Sequence, residues 1–179
     1  MTDNPTPVDL DEHFGRVEPP TLAAEAAMLA AWLDFHRKTL AVKTAGLTAE
    51  QLRQRAVSPS TLSLLGLVRH LAEVENYWYQ VVLLGGDATP LYATDEDQDL
   101  DFNGVDQADP DEAFATWRRQ VELAERASAG LPLETVGKRL RHGQEVSLRW
   151  IQVHMIEEYA RHNGHADLLR EAVDGVTGE

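Results

Sequence analysis

The chain has 179 residues, enough for one domain with its own core, and it contains no cysteine. Disulfides, thiolate metal sites and a cysteine nucleophile are therefore excluded, and any metal ion must be held by His, Asp or Glu. The net charge of −14 argues against a nucleic-acid partner, because nucleic-acid binding depends on clustered Lys and Arg.

No stretch approaches the roughly 18 uninterrupted apolar residues of a membrane span. The N-terminus also lacks the basic start and apolar run of a signal peptide. We therefore expect a cytoplasmic protein that makes no contact with a membrane. The first twenty residues are rich in proline and acids and predict an extended N-terminal arm, followed by a single domain over residues 21–175.

Apolar residues at helical spacing predict four long helices. The first runs from about Leu22 to Lys43. The second begins after a Ser-Pro-Ser sequence, in which Ser58 or Ser60 supplies the N-cap, and it ends before Gly85.

The third helix has a well-marked start, with Asp109 as N-cap, Pro110 at the first helical position and Glu112 at the capping-box position. It runs to about Ala129. The fourth begins near Ser147 and ends before the glycine at position 175. Between these two helices, partly alternating runs on either side of residues 142–143 predict a small hairpin or a returning loop.

The four segments predict an all-α fold, an antiparallel four-helix bundle, with one tryptophan in each helix. The connection between the second and third helices, residues 85–109, exceeds the roughly 2–8 residues usual in such bundles and indicates a crossover or a lid. Residues 95–112 carry nine acidic and no basic residues. We interpret them as a solvated acidic loop, because their spacing does not fit an EF-hand calcium loop.

Steps of three and four along the fourth helix place Glu158 and His162 on the apolar stripe that also carries Ile151 and Met155. A carboxylate buried without a partner is costly, so Glu158 requires a cation, a base or a metal ion. On the second helix, His70 shares the apolar face. Two ligands four residues apart on one helix, with a third on a neighbouring helix, are a common way for a bundle to hold a metal ion.

Spacing alone leaves several pairs open on the fourth helix, namely 154/158, 158/162 and 162/165. His154 and His162 lie roughly 12 Å apart along the helix axis, too far to share one ion. The alternative without a metal is a set of hydrogen-bonded core histidines and an ion pair between Glu158 and an arginine.

Two stretches, "PSTLSLLGLVRHLAEVENYW" and "SLRWIQVHMIEEYARHNGHADLLREAVDG", closely resemble the DinB/YfiT-like superfamily, in particular its branch related to mycothiol-dependent S-transferases. The similarity extends from about residue 22 to residue 175. It implies a four-helix bundle that binds one divalent metal ion through His70, Glu158 and His162. Many members carry His where this chain has Glu158, and the His, Glu, His set is similar to the zinc ligands of the mycothiol-dependent maleylpyruvate isomerases.

The resemblance implies a transferase or isomerase that activates a low-molecular-weight thiol of the mycothiol type. The thiol would come from outside the chain and take an open position on the metal ion, where its pKa is lowered. Three alternatives stay open: a hydrolase that uses metal-bound water, an iron oxygenase with two His and one carboxylate, and a non-catalytic metal-binding or interaction module.

We expect zinc as the metal, with nickel, iron or manganese as alternatives, and a small-molecule thiol and an electrophile as partners. His165, His154 and Arg149 are expected to orient the ligands or to contact the substrates. Tyr77, Trp78 and Trp150 are expected to pack in the core. A homodimer suits the size of the chain, although no segment identifies an interface.

Overall fold

A computed structural model describes residues 10–177, and within this range the regular structure is helical. The α-helices are α1 (Leu10–Phe14), α2 (Glu25–Thr44), α3 (Ala49–Arg53), α4 (Leu64–Glu75), α5 (Leu100–Asn103), α6 (Pro110–Ser128) and α7 (Leu148–Asp174). A π-helical segment, Asn76–Leu83, continues α4, and a short 3₁₀ turn, Gly104–Asp106, follows α5. The predicted all-α fold is confirmed.

The four long helices are α2, α4 with its π-helical continuation, α6 and α7. The main packing pairs are α2 with α7 and α4 with α6, while α4 also packs on α7. Their apolar faces meet in one buried core. The short helices α3 and α5, which lie in the connections before and after α4, are too short to show a helical period in the sequence.

Side-chain caps begin three of the four long helices. Asp109 accepts a hydrogen bond from the backbone N–H of Asp111, and Ser147 accepts one from Trp150, as expected for N-caps. The predicted cap of the second helix is wrong. Ser63, rather than an earlier serine, accepts from the backbone N–H of residue 66 at 3.1 Å, because the chain still forms a turn around Ser60.

The π-helical segment is an unpredicted feature, because its apolar composition is the same as that of an α-helix. A π-helical turn holds more residues than an α-helical one, so it changes which side chains face the core. Trp78 is buried as expected, but Tyr77 is 37% exposed and so does not belong to the core. Trp150 on α7 is 45% exposed and likewise departs from the predicted core position.

The N-terminal arm differs from the predicted extended segment in its described part, because residues 10–14 form α1. Arg16 then fixes the chain to α2. Its Nη1 donates to the hydroxyl of Thr39 at 3.3 Å, and its guanidinium lies 5.2 Å from the centre of the Phe35 ring. The rest of the predicted arm, residues 1–9, lies outside the described residues.

The long connection between the second and third helices runs along α4. Arg69 donates from Nε to the carbonyl of Asp101 at 2.8 Å and from Nη2 to the carbonyl of Leu100 at 2.9 Å. Glu73 accepts from the backbone N–H groups of Leu91 and Tyr92. Two side chains of α4 therefore hold the acidic connection in place and bring α5 beside the second helix.

A buried chain of polar side chains crosses the core and takes one member from each long helix. The guanidinium of Arg37 donates to both oxygens of Glu75 at 2.7 and 2.8 Å, and Glu75 is fully buried. Tyr159 donates to the same carboxylate at 2.9 Å and accepts from the indole N–H of Trp117 at 2.8 Å. These bonds link α2, α4, α7 and α6.

The predicted hairpin between α6 and α7 is present as a tight two-residue turn. Arg141 and Gln144 exchange backbone hydrogen bonds of 2.9 and 3.0 Å. His142 and Gly143 between them have φ values of 51° and 78°, the left-handed conformation that such a turn requires. The backbone N–H groups of residues 138 and 139 donate to carbonyls of the π-helical segment, which fixes the hairpin to that end of the second helix.

Candidate metal centre

His70, Glu158 and His162 come together at the seam between α4 and α7. Each offers one ligand atom, and these three atoms all lie within 4.8 Å of one another. The side chains are 23%, 14% and 9% exposed, respectively. The three residues are therefore near enough to share one ion, and the cluster is open enough for a small molecule to approach.

The orientation of His70 is set by residues from the acidic connection. Its Nδ1 lies 2.8 Å from a carboxylate oxygen of Asp101, and its ring stacks on Phe102 with ring centres 4.7 Å apart. A carboxylate accepts a hydrogen bond from Nδ1–H, which leaves Nε2 free to bind a metal ion. The ring also contacts that of His162, with centres 4.7 Å apart, so His70 lies against the cluster.

Glu158 lies at the middle of a row of polar contacts along α7. One of its oxygens is 3.4 Å from Nε2 of His162, and the other is 3.3 Å from Nε2 of His154. The hydrogen bond with His162 holds the pKa of Glu158 below its usual value, although burial acts in the opposite direction. The side chain is therefore ionised at neutral pH and can balance part of the charge of a cation.

His162 is held from its other side by His165. The two Nδ1 atoms are 3.3 Å apart, so Nε2 of His162 is the nitrogen that faces Glu158. Burial lowers the pKa of His165, and the neighbouring His162 lowers it further. The structure thus places His165 next to a candidate ligand, and its role there stays a prediction.

A second group, made of His154, Glu157 and Glu158, also satisfies the distance requirement for a metal site. All three come from a single stretch of α7, and Glu157, whose side chain is 43% exposed, pairs with Arg161. The set with His70 is more buried and joins two helices. It is therefore the better candidate for a metal centre.

Arg149 does not join the cluster. Its guanidinium donates to Glu25 at 2.7 Å and to Glu134 at 2.6 Å, and these carboxylates raise its pKa. The arginine is engaged by surface ion pairs, so the structure gives no support to the prediction that it contacts a substrate.

The donor set suits a divalent metal ion. Two imidazole nitrogens and one carboxylate oxygen are ligands that zinc, nickel and iron accept, and three protein ligands leave at least one position for a substrate. Asp101 and His165 add the outer hydrogen bonds that metal-binding histidines usually make. The residues present therefore fit the group that the sequence resemblance implies.

Sequence reasoning missed Asp101 and Phe102, which contact His70. Asp101 is one of nine acidic residues in a segment interpreted as solvated, yet it is only 7% exposed. Nothing in its immediate sequence distinguishes it from its acidic neighbours. Only the path of the connection along α4 brings it to His70.

A cavity of about 670 Å³ lies on another side of the bundle, between α2 and α6. Apolar residues such as Leu52, Phe114 and Val121 form much of its wall, and Arg37 reaches it from the core. None of the three candidate ligands lines this cavity, so it is separate from the candidate metal centre.

Among residues 10–177, no helix is both long and apolar enough to cross a membrane. Comparison with curated proteins finds no match. Comparison with protein-family models matches residues 28–175 to the family described as Mycothiol-S-transferase. The matched range includes most of α2, the whole of α4, α6 and α7, and all three candidate ligands. The chain therefore belongs to the mycothiol-S-transferase family.

Proposed function

We propose that the protein is a metal-dependent enzyme that transfers a mycothiol-type thiol to an electrophile. His70, Glu158 and His162 would hold the metal ion, for which we propose zinc. The observation that carries the proposal is the convergence of these side chains, with ligand atoms within 4.8 Å of one another, in a member of this family.

The charge of the ligand set favours an anionic substrate. Two neutral imidazoles and one carboxylate contribute a single negative charge, so a divalent ion held by them keeps one net positive charge. When bound, such an ion lowers the pKa of a thiol and stabilises its thiolate. The chain has no cysteine, so the sulfur must belong to a small molecule.

The proposed reaction moves the thiol proton to water and uses a lone pair on sulfur to form a new sulfur–carbon bond. The leaving group departs from that carbon with the electrons of the broken bond and takes up a proton. The surrounding residues orient the ligands: Asp101 fixes the ring of His70, and His165 fixes that of His162. The partial exposure of His70 leaves the approach open.

The first test is to load the purified chain with zinc, measure its metal content and titrate it with mycothiol by calorimetry. We expect about one zinc ion per chain and thiol binding that depends on it. Glu158→Ala and His162→Ala should lose both. His13→Ala, a change of an exposed histidine remote in sequence from the cluster, should lose neither.

Loss of free thiol in the presence of a reactive aryl halide would then support S-transfer. Faster hydrolysis of an activated ester without thiol consumption would instead indicate a hydrolase. Zinc that raises the melting temperature without any thiol binding would indicate a non-catalytic metal-binding module. A chain that takes up no zinc, nickel or iron would contradict the proposal. The cytoplasmic location and the homodimer stay predictions, which fractionation and gel filtration would test.

A further inference from the structure

Aromatic side chains form a wall beside Glu158. The ring of His154 contacts two tryptophans, with its centre 4.7 Å from that of Trp78 and 5.0 Å from that of Trp150, and the two indole rings also contact each other at 5.0 Å. Nε2 of His154 contacts Glu158 at 3.3 Å. The wall therefore begins at one of the candidate ligands.

The outer part of this wall faces solvent. Trp150 is 45% exposed, although its ring stacks on His154, and Tyr77 is 37% exposed where its ring meets the edge of Trp78. Val153, 52% exposed, lies on the same helix. Large apolar side chains clustered at the surface next to a candidate site are typical of a binding surface.

Arg141 from the hairpin completes the wall with a positive charge. Its guanidinium carbon lies 5.6 Å from the centre of the Trp78 ring. The same Trp78 ring contacts His154, so the arginine lies at the end of the site that His154 and Trp78 form. This wall consists of Arg141, Trp78, His154 and Trp150, and we call it the aromatic rim from here on.

One donor of the Arg141 guanidinium has no hydrogen-bond partner within the described part of the chain. Its Nε is buried without a hydrogen-bond partner, and no carboxylate of residues 10–177 pairs with it. A buried donor without an acceptor is unfavourable, and guanidinium is the protein group best suited to a carboxylate, which it binds through two parallel hydrogen bonds.

The backbone holds Arg141 in this position. Its own N–H and C=O both bond to Gln144, and the preceding residues bond to carbonyls of the π-helical segment that carries Trp78. The hairpin that carries Arg141 is thus bonded through its backbone to the segment that carries Trp78. These bonds fix the position of the arginine relative to the tryptophan.

We propose that the aromatic rim binds the electrophilic substrate and that this electrophile is a planar, unsaturated or aromatic molecule bearing a carboxylate. Arg141 binds the carboxylate, and the exposed face of Trp150 stacks against the planar part. This inference rests on the proposed function, since it assigns the second substrate of the same site: the thiol is held at the metal ion, and the electrophile approaches along the side of Glu158 that faces His154.

The test compares the binding of two probes of nearly equal shape, 1-naphthoate and 1-naphthamide, to the zinc-loaded full chain by calorimetry and tryptophan fluorescence. We expect the wild type to bind naphthoate about tenfold more tightly than naphthamide, as one charged hydrogen-bonded contact would give. Arg141→Gln should remove this preference without changing the affinity for naphthamide, and Arg141→Lys should retain part of it.

Arg161→Gln is the matched control, because Arg161 lies in the middle of α7 and pairs with Glu157, and it should leave both affinities unchanged. Trp150→Leu should lower the affinity for both probes by the same factor. An unchanged preference in Arg141→Gln would overturn the inference, because the carboxylate would then be held by the metal ion or elsewhere.

Zinc content and mycothiol binding are measured on the same samples. Retention of both by the wild type, together with equal affinities for the two probes, would overturn the inference and leave the proposed function standing. A chain that does not bind zinc would contradict the proposed function itself. The zinc content reveals this result without either probe.

Discussion

Nδ1 of His70 lies 2.8 Å from Oδ2 of Asp101, although the two residues are 31 positions apart in the sequence. The contact exists because Arg69, the residue before His70, holds the backbone of Asp101 against α4. One helix therefore supplies both a candidate ligand and the side chain that places the partner of this ligand.

We expect Asp101→Asn to weaken zinc binding by about 10–100-fold, because the amide keeps the shape of the carboxylate but no longer favours the Nδ1–H form of His70. Competition with a chromophoric chelator measures the affinity. Asp95→Asn, an exposed change in the same acidic segment, is the control and should have no effect. Equal affinities for the two variants would show that Asp101 does not position the ligand.

The buried chain through the core predicts strong coupling between two side chains. Glu75→Leu leaves the Arg37 guanidinium buried without its carboxylate and should lower the free energy of unfolding by about 3–5 kcal/mol. The double variant R37M/E75L should cost clearly less than the sum of the single changes, since neither charge is left. Urea unfolding of the four proteins measures this coupling, and additive losses would contradict it.

The same region predicts a loss of stability at alkaline pH. Burial raises the pKa of Tyr79 and Tyr159, and the Glu75 carboxylate adds to the shift of Tyr159. The folded protein then keeps phenolic protons that the unfolded chain releases above about pH 10. The contribution is fully present below that pH and is lost as the pH rises further. Tyrosinate absorbance from these two of the four tyrosines should therefore appear only together with unfolding, and its appearance in the folded protein would contradict the prediction.

Two glycines predict opposite effects of the same substitution. A Cβ at Gly164, in the middle of α7, meets nothing within 4 Å, so Gly164→Ala should raise the free energy of unfolding by roughly 0.5–1 kcal/mol. A Cβ at Gly66 lies 3.1 Å from the ring of Phe102 and 3.2 Å from the hydroxyl of Ser63, so Gly66→Ala should lower it. Urea unfolding compares both with the wild type, and a stabilised Gly66→Ala would show that Phe102 moves freely.

The four long helices were predictable because their apolar periods and end signals agree. The start of α6 at Pro110 after the Asp109 cap, and the start of α7 after Ser147, follow directly from the sequence. The cap of α4 was not predictable, because three serines compete within six residues and the turn around Ser60, which leaves the cap position to Ser63, has no separate sequence signal.

The polar positions on α7 stood out for a similar reason, since Glu158 and His162 interrupt an apolar stripe, but spacing left three pairs open and only the family resemblance singled out His70, Glu158 and His162. The surroundings of the cluster were not predictable. Asp101 arrives through the path of a long connection, and Arg141 arrives through a hairpin whose position depends on backbone bonds to the π-helical segment. Contacts of this kind join distant segments and leave no local pattern.

The buried polar chain also fixes the position of each long helix along its axis relative to its neighbours. Its members are Arg37, Glu75, Tyr159 and Trp117. Tyr159 follows Glu158 directly on α7, and Glu75 lies five residues after His70 on α4. A slide of α7 by one turn, about 5.4 Å, would break the bond between Tyr159 and Glu75 and would separate Glu158 from His70 by a similar distance. The core therefore sets the geometry of the metal centre. When the hydrogen bonds of these four side chains are made, α4 and α7 have the relative axial position at which the candidate ligands meet.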